Sequence, residues 1–245
     1  MSMIINTINR FTSIAFSGDK TAEFLQGQLT CDMRKLDKHG IYSLAACCDH
    51  KGRMIANFWV INRENQYYFV LPKEMIQIVM THLTKYALFS KVTLTETNDF
   101  LMMETNVHKT NGHDVLIALP GEQRFLLITK TPCSTEKTDD TTWRKNNIDN
   151  KLAILTQKTS LLFTPQMIEL EKLGGVSFEK GCYVGQEIVA RTQHLGQLKR
   201  HLHRITLTEH HEPGDKITYD GKSGVVVDSV KIGKNEYVAL AVMCD

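Results

Sequence analysis

The chain has 245 residues, of which 42% are hydrophobic and 23% charged, and its 29 basic and 27 acidic residues give a formal net charge of +2. This composition is typical of a globular protein and excludes a disordered or fibrous one. The near-neutral charge argues against a protein that coats nucleic acid through its overall charge, although it permits a local basic patch. The length predicts one large domain or two modest ones.

The sequence contains no run of about 18 apolar residues, the length that a transmembrane helix needs. Its first residues, Met1-Ser2-Met3-Ile4, lack the basic start and apolar stretch of a signal peptide. We therefore expect a cytoplasmic protein without a membrane partner. The oligomeric state stays open.

In chain order, the first elements are a strand at residues 12–16 and a helix at 20–28, preceded by the capping residues Ser17-Gly18-Asp19. Two apolar runs, 41–48 and 53–61, predict strands joined by a tight polar connection. The face of the helix that we expect to be buried carries Ala22, Leu25 and Leu29.

The next strand is predicted at 65–71, and Pro72 is expected at the first position of a helix that ends near Leu88. Short strands then follow at 91–95, 100–105, 114–119 and 124–129. The side of the helix that we expect to be buried carries Met75, Ile78, Val79, Leu83 and Tyr86.

Residues 130–142 are rich in Thr, Asp and Lys and predict a surface loop. A short helix at 143–150, a strand at 153–155 and a helical segment at 165–173 complete this part of the chain. No internal repeat is evident.

After about residue 198 the pattern changes to short β-rich runs separated by Gly, Pro, Asp and Asn. These runs predict a small antiparallel barrel or sandwich. We place a domain boundary near 196–202, with domains at 1–197 and 198–245. The predicted strands are 202–208, 216–219, 223–232 and 236–242.

The six cysteines form no CxxC pair and no zinc-finger spacing, so we expect reduced thiols and no metal site. An iron–sulfur site needs about four thiolates together, and the local spacing does not supply them. Five of the six are expected to be small core residues, with Cys182 as the exception. These five are Cys31, Cys47, Cys48, Cys133 and Cys244.

Residues 174–191 carry the strongest chemical signal. Four glycines fall within twelve residues, which indicates sharp turns or a close approach of the backbone. Cys182 lies beside Lys180 and before a predicted helix that begins at Gln186, and both neighbours favour the thiolate. A reactive cysteine and a buried loop cysteine are both compatible with this pattern. The spacing matches neither a P-loop nor a dinucleotide-binding fingerprint.

The octapeptide at 180–187, KGCYVGQE, resembles the signature of the YgfZ family, the folate-binding relatives of the glycine-cleavage T-protein. Two upstream stretches resemble further family segments: FLQGQLTCD at 24–32 and DHKGRM at 49–54. Pro165-Gln166 also fits. The matches follow the family's order from about residue 17 to 200.

The resemblance implies an α+β fold: a T-protein-like folate-binding body of antiparallel sheets with flanking helices, plus the small C-terminal antiparallel β-barrel. It implies that tetrahydrofolate, or a folate derivative, binds in a central channel. It also implies a role in the assembly or repair of iron–sulfur enzymes, with those enzymes or assembly factors as partners and tRNA as an indirect one.

The resemblance also assigns site residues. A carboxylate can accept hydrogen bonds from the adjacent N–H and amino groups of a reduced pterin, and the matching position is Glu171, with Glu169 as the alternative. Cys182 and Lys180 are the candidates for thiol chemistry, although Lys180 is also a candidate for the glutamate tail of folate. The remaining candidates, each with a structural role also open, are Asp32, Gly181, Gly185, Gln186, Glu187 and Arg191.

One departure from the T-protein pattern concerns activity. The stretch 54–57, MIAN, has no carboxylate where the T-protein carries an acidic residue that assists aminomethyl transfer. General acid–base help is therefore missing there, which favours an accessory protein over an enzyme. Two alternatives stay open: a folate-dependent one-carbon transferase, and an RNA- or protein-interaction module that uses the basic stretch 199–204.

Overall fold

The computed structural model describes residues 5–107, 113–131, 140–195 and 198–245. Antiparallel strands form three sheets, and helices flank them. The predicted α+β class with antiparallel sheets is confirmed. Cys133, most of the predicted loop 130–142 and the boundary position Gln197 lie outside the described residues.

The first sheet has five strands in the order β3-β4-β5-β2-β6, and two helices pack against it. The second strand in this order, β4, is buried along its whole length, because both faces of the sheet are covered there. Phe58 and Val60 face the helices, whereas Trp59 and Ile61 face the second sheet. The elements are β2 (Phe11–Ser17), α1 (Thr21–Gln28), β3 (Tyr42–Cys48), β4 (Met54–Arg63), β5 (Gln66–Pro72), α2 (Ile76–Ser90) and β6 (Thr93–Thr97).

The second sheet has four strands in the order β1-β7-β9-β8. The indole of Trp143 joins it to the first sheet, with ring centroids 5.9 Å from Phe11 and 6.5 Å from Trp59. A buried ion pair between Arg124 and Glu104, 2.7 Å apart, supports the same region. The elements are β1 (Ile5–Thr7), β7 (Leu101–Thr105), β8 (Val115–Ala118), β9 (Phe125–Thr129) and α3 (Asp140–Asp149).

The C-terminal sheet has the order β10-β13-β12-β11, so β10 and β11 are its two edges. One face, with Leu202 and Leu240, joins the core of the first two sheets, and the other face has its own small core around Val226. The antiparallel unit is confirmed, whereas the ladder of the described residues is open rather than a closed barrel. Its strands are β10 (Arg200–Leu207), β11 (Lys216–Tyr219), β12 (Lys222–Gly233) and β13 (Glu236–Cys244).

The start of α1 differs from the prediction. Its N-cap is Lys20, which makes no side-chain cap hydrogen bond. The Thr21 hydroxyl instead donates to the carbonyl of Gly18 at 2.7 Å. Ala22, which we expected to be buried, is exposed, and Phe24 is buried in its place. The larger aromatic side chain packs against the sheet, so packing rather than spacing selects the buried face of α1.

The start of α2 also differs. Pro72 ends β5 instead of opening the helix, and a short 3-10 turn separates it from Ile76, where the α-helix begins. Tyr86 is 41% exposed, and Ala87 occupies the buried face.

Residues 153–155 are not a strand, because a side chain replaces the partner strand. The amide of Asn57 donates to the carbonyl of Ala153 at 2.7 Å and accepts from the amide of Leu155 at 2.8 Å. Asn57 is 1% exposed. One buried side chain therefore fastens this segment to β4.

The predicted helical segment 165–173 is a short 3-10 helix, Pro165–Ile168, which ends at Glu169 with a left-handed φ of 58°. Residues 169–174 continue as turns. Neither Glu169 nor Glu171 therefore belongs to a helix.

Three of the cysteines predicted for the core, Cys31, Cys47 and Cys48, are buried free thiols. Burial raises the pKa of Cys31 to about 12. Cys244 is only partly buried at the end of β13, which corrects the prediction for that residue.

Candidate functional site

The three sequence segments at 24–32, 49–54 and 180–187 meet in the structure, although about 150 residues separate the first from the last. The amide of Val184 donates to the carbonyl of Gly27 at 3.3 Å. A buried side chain and close backbone contacts join the third segment to each of the other two.

Lys180 fastens the third segment to the first. Its side chain is buried, and its ammonium donates to the backbone carbonyls of Gln26, Leu29 and Cys31 at 2.7, 2.5 and 2.7 Å. The ammonium also lies 5.0 Å from the centroid of the Tyr183 ring, a cation–π distance. Burial lowers the pKa of Lys180 to about 8.

Thr30 makes the second connection. Its hydroxyl donates to the carbonyl of Gly175 at 2.6 Å and accepts from the amide of Ala46 at 2.8 Å. Its own carbonyl accepts from the amide of Ser177 at 2.8 Å. Thr30 is fully buried, so one side chain joins β3 to the glycine-rich segment. Thr30 is absent from the residues predicted from sequence, although it lies within the FLQGQLTCD motif.

Two glycines allow the second and third segments to touch. Gly185 has φ +84°, and a Cβ atom there would lie 2.4 Å from the carbonyl oxygen of Asp49 and 3.1 Å from the Cα of Gly52. Gly52 has φ +70°, and a Cβ atom there would lie 3.0 Å from the side chain of Ile188. The two motifs thus require glycine for both backbone conformation and space.

Cys182 is exposed on the surface of this junction. Gly181, beside it, has open space around its Cα, and a Cβ atom there would meet nothing within 4 Å. The three donor positions of the Lys180 ammonium point to backbone carbonyls rather than to the Cys182 thiol. In this geometry Lys180 holds the loop that carries Cys182, and its predicted effect on that thiol stays a prediction.

Asp32 caps a short helix and borders a cavity, while its predicted binding role stays a prediction. Its carboxylate caps the 3-10 helix Met33–Lys35 by accepting from the amide of Arg34 at 3.1 Å, and it binds the Arg34 guanidinium at 2.6 Å. The hydrogen bonds from Arg34 hold the pKa of the Asp32 carboxyl well below its usual range. Asp32 also lines a cavity of about 570 Å³.

This cavity lies between the end of the first segment and the glycine-rich segment, with Ser43 on one side and Gly174 and Glu179 on the other. A second cavity of about 250 Å³ reaches Trp59 and Leu173. Tyr42 borders both cavities, and its hydroxyl accepts from the amide of Ala118 at 2.8 Å. The two cavities thus share Tyr42, which lies at the contact between the first and second sheets.

Glu171 lies three positions before Gly174, which lines the larger cavity. It is partly buried, and its Oε2 atom is buried without a hydrogen-bond partner among the described residues. Burial raises the pKa of the Glu171 carboxyl. Glu169 differs, since its carboxylate accepts from Lys172 at 2.7 Å. Of the two candidates, Glu171 therefore has the free acceptor.

The candidates after the signature loop lie on α4 (Gln186–Leu195), as predicted. Glu187 and Arg191 form an ion pair at 2.6 Å, with 81% and 60% of their side chains exposed. The amide of Gln186 donates to the carbonyl of Tyr183 at 3.1 Å. This helix thus carries surface charge next to the junction.

The arginines of the basic stretch 199–204 have different surroundings. Arg204 pairs with Asp149 at 2.7 Å, and Arg200 lines a separate cavity. Across the four described ranges, no helix is long and apolar enough to span a membrane. Within the same ranges, no group of three or more His, Cys, Asp or Glu side chains is placed to hold a metal ion.

Comparison with known proteins decides the family. The tRNA-modifying protein YgfZ of Colwellia psychrerythraea is 31% identical to this chain, over 80% of the chain and 69% of the relative. The chain belongs to the YgfZ family. The YgfZ protein of Klebsiella pneumoniae is 29% identical over 99% of this chain and 86% of the relative. No protein-family model matches the chain.

The YgfZ fold of this chain resembles that of the glycine cleavage system aminomethyltransferase T from Bartonella henselae. The TM-score is 0.69, the match covers 99% of this chain and 78% of the other, and the sequences are 13% identical. At that identity the likeness concerns the fold. The resemblance drawn from the sequence motifs is thereby confirmed for both family and fold.

Proposed function

We propose that the protein binds tetrahydrofolate, or a folate derivative, and acts in the cytoplasm as an accessory protein for the assembly or repair of iron–sulfur enzymes, including those that modify tRNA. Its relatives are named tRNA-modifying proteins, and its fold is that of an aminomethyltransferase T. Iron–sulfur enzymes or assembly factors would be its partners, with tRNA as an indirect one.

The observation that carries the proposal is the buried Oε2 atom of Glu171, which has no partner among the described residues. A buried acceptor without a donor costs about 1–3 kcal/mol. A reduced pterin presents two adjacent donors, and a carboxylate accepts from both. The ligand would therefore satisfy an acceptor that the protein leaves free.

The two cavities that share Tyr42 would hold the folate. Their volumes of about 570 and 250 Å³ fall in or near the range of small-molecule sites, about 300–1,000 Å³. Glu171 would hold the pterin, and Asp32 lies on the cavity wall. When bound, the folate supplies one-carbon chemistry; the residues of this chain supply the carboxylate, the wall and the exposed thiol of Cys182.

Asn57 favours the accessory role over aminomethyl transfer. Its side-chain amide is buried, and it donates a hydrogen bond to Ala153 and accepts one from Leu155. It thus has no proton to exchange with a substrate, and no carboxylate stands at 54–57. Cys182, which is exposed, would supply reactive thiol chemistry or a transient contact with a cluster.

The folate test is a calorimetric titration of the purified protein with tetrahydrofolate and with 5-formyltetrahydrofolate. We expect micromolar binding that weakens tenfold or more in Glu171→Gln, because a hydrogen bond to a charged group is worth about 1.5–3 kcal/mol. The exposed Glu209→Gln is the matched control and should bind as the wild type does. No binding by the wild type would overturn the folate proposal. Unchanged binding by Glu171→Gln would contradict the assignment of Glu171 as the residue that holds the pterin.

The accessory role is tested separately in a strain that lacks the protein. We expect wild-type protein to restore the activity of iron–sulfur enzymes and Cys182→Ser to restore little of it. Full restoration by Cys182→Ser would remove the thiol from the proposal.

We also propose that the chain divides into units at 1–197 and 198–245 and that the C-terminal sheet curls toward a barrel. The four strands after 198 pair with one another in a sheet of their own, which supports this division. Limited proteolysis that releases a stable C-terminal fragment would agree with it, and cleavage throughout that sheet would contradict it.

A further inference from the structure

A third cavity, of about 420 Å³, lies at one end of the C-terminal sheet and shares no lining residue with the two cavities of the candidate site. Five polar side chains line it, and all four strands of the sheet contribute. These five are Arg200, Lys216, Thr218, Ser223 and Cys244.

Four of these side chains form a row across the sheet. Arg200 on β10 pairs in register with Cys244 on β13, and Ser223 on β12 pairs with Thr218 on β11. The two pairs are neighbours, since the Ser223 hydroxyl donates to the Cys244 sulfur at 3.3 Å. Directly paired antiparallel positions bring Cβ atoms within about 4.5–5.5 Å. The row therefore places a guanidinium, a thiol and two hydroxyls side by side.

The cavity has a positive charge. Arg200 and Lys216 line it, and neither has an ion-pair partner among the described residues, whereas Arg204 on the same strand pairs with Asp149. None of the lining side chains is acidic. The nearby carboxylate of Asp245 lies 3.4 Å from His201. Two cations without ion-pair partners in the described ranges, together with the hydroxyl of Thr218, suit a phosphate group.

The remaining wall is apolar and includes Phe163 and Val242. A bare phosphate ion would leave this wall without contacts. We propose that the cavity binds an organic phosphomonoester, with its phosphate at Arg200 and Lys216 and its apolar part against Phe163 and Val242. This site is independent of the proposed folate site.

Cys244 reports on occupancy of the cavity. The hydrogen bond from Ser223, followed by the neighbouring Arg200, lowers the pKa of the Cys244 thiol. The thiolate is the form that alkylating reagents attack. A ligand in the cavity should therefore slow the alkylation of Cys244.

The experiment measures alkylation of Cys244 by iodoacetamide, an uncharged reagent, in the Cys182→Ser protein, with mass spectrometry to assign each modified peptide. Ionic strength is held constant with sodium chloride while phenyl phosphate is added. We expect saturable protection, about tenfold when phenyl phosphate is at about ten times its Kd. Inorganic phosphate should require a higher concentration, because it does not contact the apolar wall.

Variants show whether the cations carry the effect. Arg200→Met and Lys216→Met should lose the protection, and Lys234→Met, an exposed lysine in the turn between β12 and β13, should keep it. Where a variant folds poorly, calorimetric titration of phenyl phosphate into Cys244→Ser tests the same cavity with both cations present. Protection that is absent, or retained in Arg200→Met, overturns the proposal. Equal protection by inorganic phosphate overturns the role of the apolar wall.

Discussion

Replacing Lys180 by Met tests whether this residue fastens the signature loop to the rest of the site. Methionine retains much of the length and the apolar stem but removes the ammonium, which donates to the carbonyls of Gln26, Leu29 and Cys31. The variant therefore leaves three backbone acceptors in a buried region without this donor.

The magnitude follows from two opposing effects. Each hydrogen bond from a charged donor is worth about 1.5–3 kcal/mol, so three of them favour the folded state by several kcal/mol. Burial of the ammonium opposes them: the fall in the pKa of Lys180 from 10.5 to about 8 corresponds to about 3 kcal/mol. We expect Lys180→Met to lower the free energy of unfolding by about 3 kcal/mol, within the range for breaking a buried charged interaction.

The assay is urea unfolding followed by tryptophan fluorescence, combined with hydrogen exchange of the amides at 174–185. Exchange in that loop should rise more than exchange in β4. The control is Lys172→Met, since Lys172 is 63% exposed and makes one surface contact with Glu169. A Lys180→Met protein within about 0.5 kcal/mol of the wild type, the range of surface substitutions, would refute the assigned role of Lys180.

Two further predictions concern the same junction. Gly185→Ala should lower the unfolding free energy by about 2 kcal/mol or more, because its φ is +84° and the new Cβ meets a carbonyl at 2.4 Å. Gly181→Ala, with open space, should change the thermal midpoint little, and equal effects of the two would contradict the close contact. Asp32→Asn should remove the acid sensitivity that Asp32 gives the protein. The Arg34 contacts lower the pKa of Asp32 in the folded state, so below about pH 4 the unfolded state binds more protons and the free energy of unfolding decreases as the pH falls. Acid unfolding curves of the two proteins should converge as the pH falls, and parallel curves would exclude this linkage.

The sequence predicts most strands of this fold because their apolar runs are short and bounded by turn residues. The hairpin from β3 to β4 and all four C-terminal strands lie within a few residues of their predicted positions. Residues 153–155 fail for a physical reason: their partner is the side chain of Asn57, and no local pattern shows a bond to a residue about 100 positions away. Similarly, spacing alone does not reveal the left-handed residue Glu169 that ends the helical segment.

The candidate site was predictable as a set of motifs but not as an arrangement. Residue types single out the segment around Gly185, and the family resemblance adds those around Gly27 and Gly52, whereas their mutual contacts depend on the fold of the whole chain. Lys180 illustrates the difference, because its neighbour in sequence is Cys182 but its partners in space are backbone carbonyls near Cys31. The free oxygen of Glu171 likewise becomes visible only once the surrounding backbone is placed.

The double hydrogen bond of Asn57 also limits how this scaffold can change its chemistry. A carboxylate at that position would still accept from the amide of Leu155, but it would place an ionised oxygen opposite the carbonyl oxygen of Ala153. Such an acid would need either a second substitution that supplies a donor or a retained proton. A single change from amide to acid at Asn57 therefore destabilises the fold before it can provide a catalytic group. A catalytic carboxylate cannot replace the structural amide by one substitution alone.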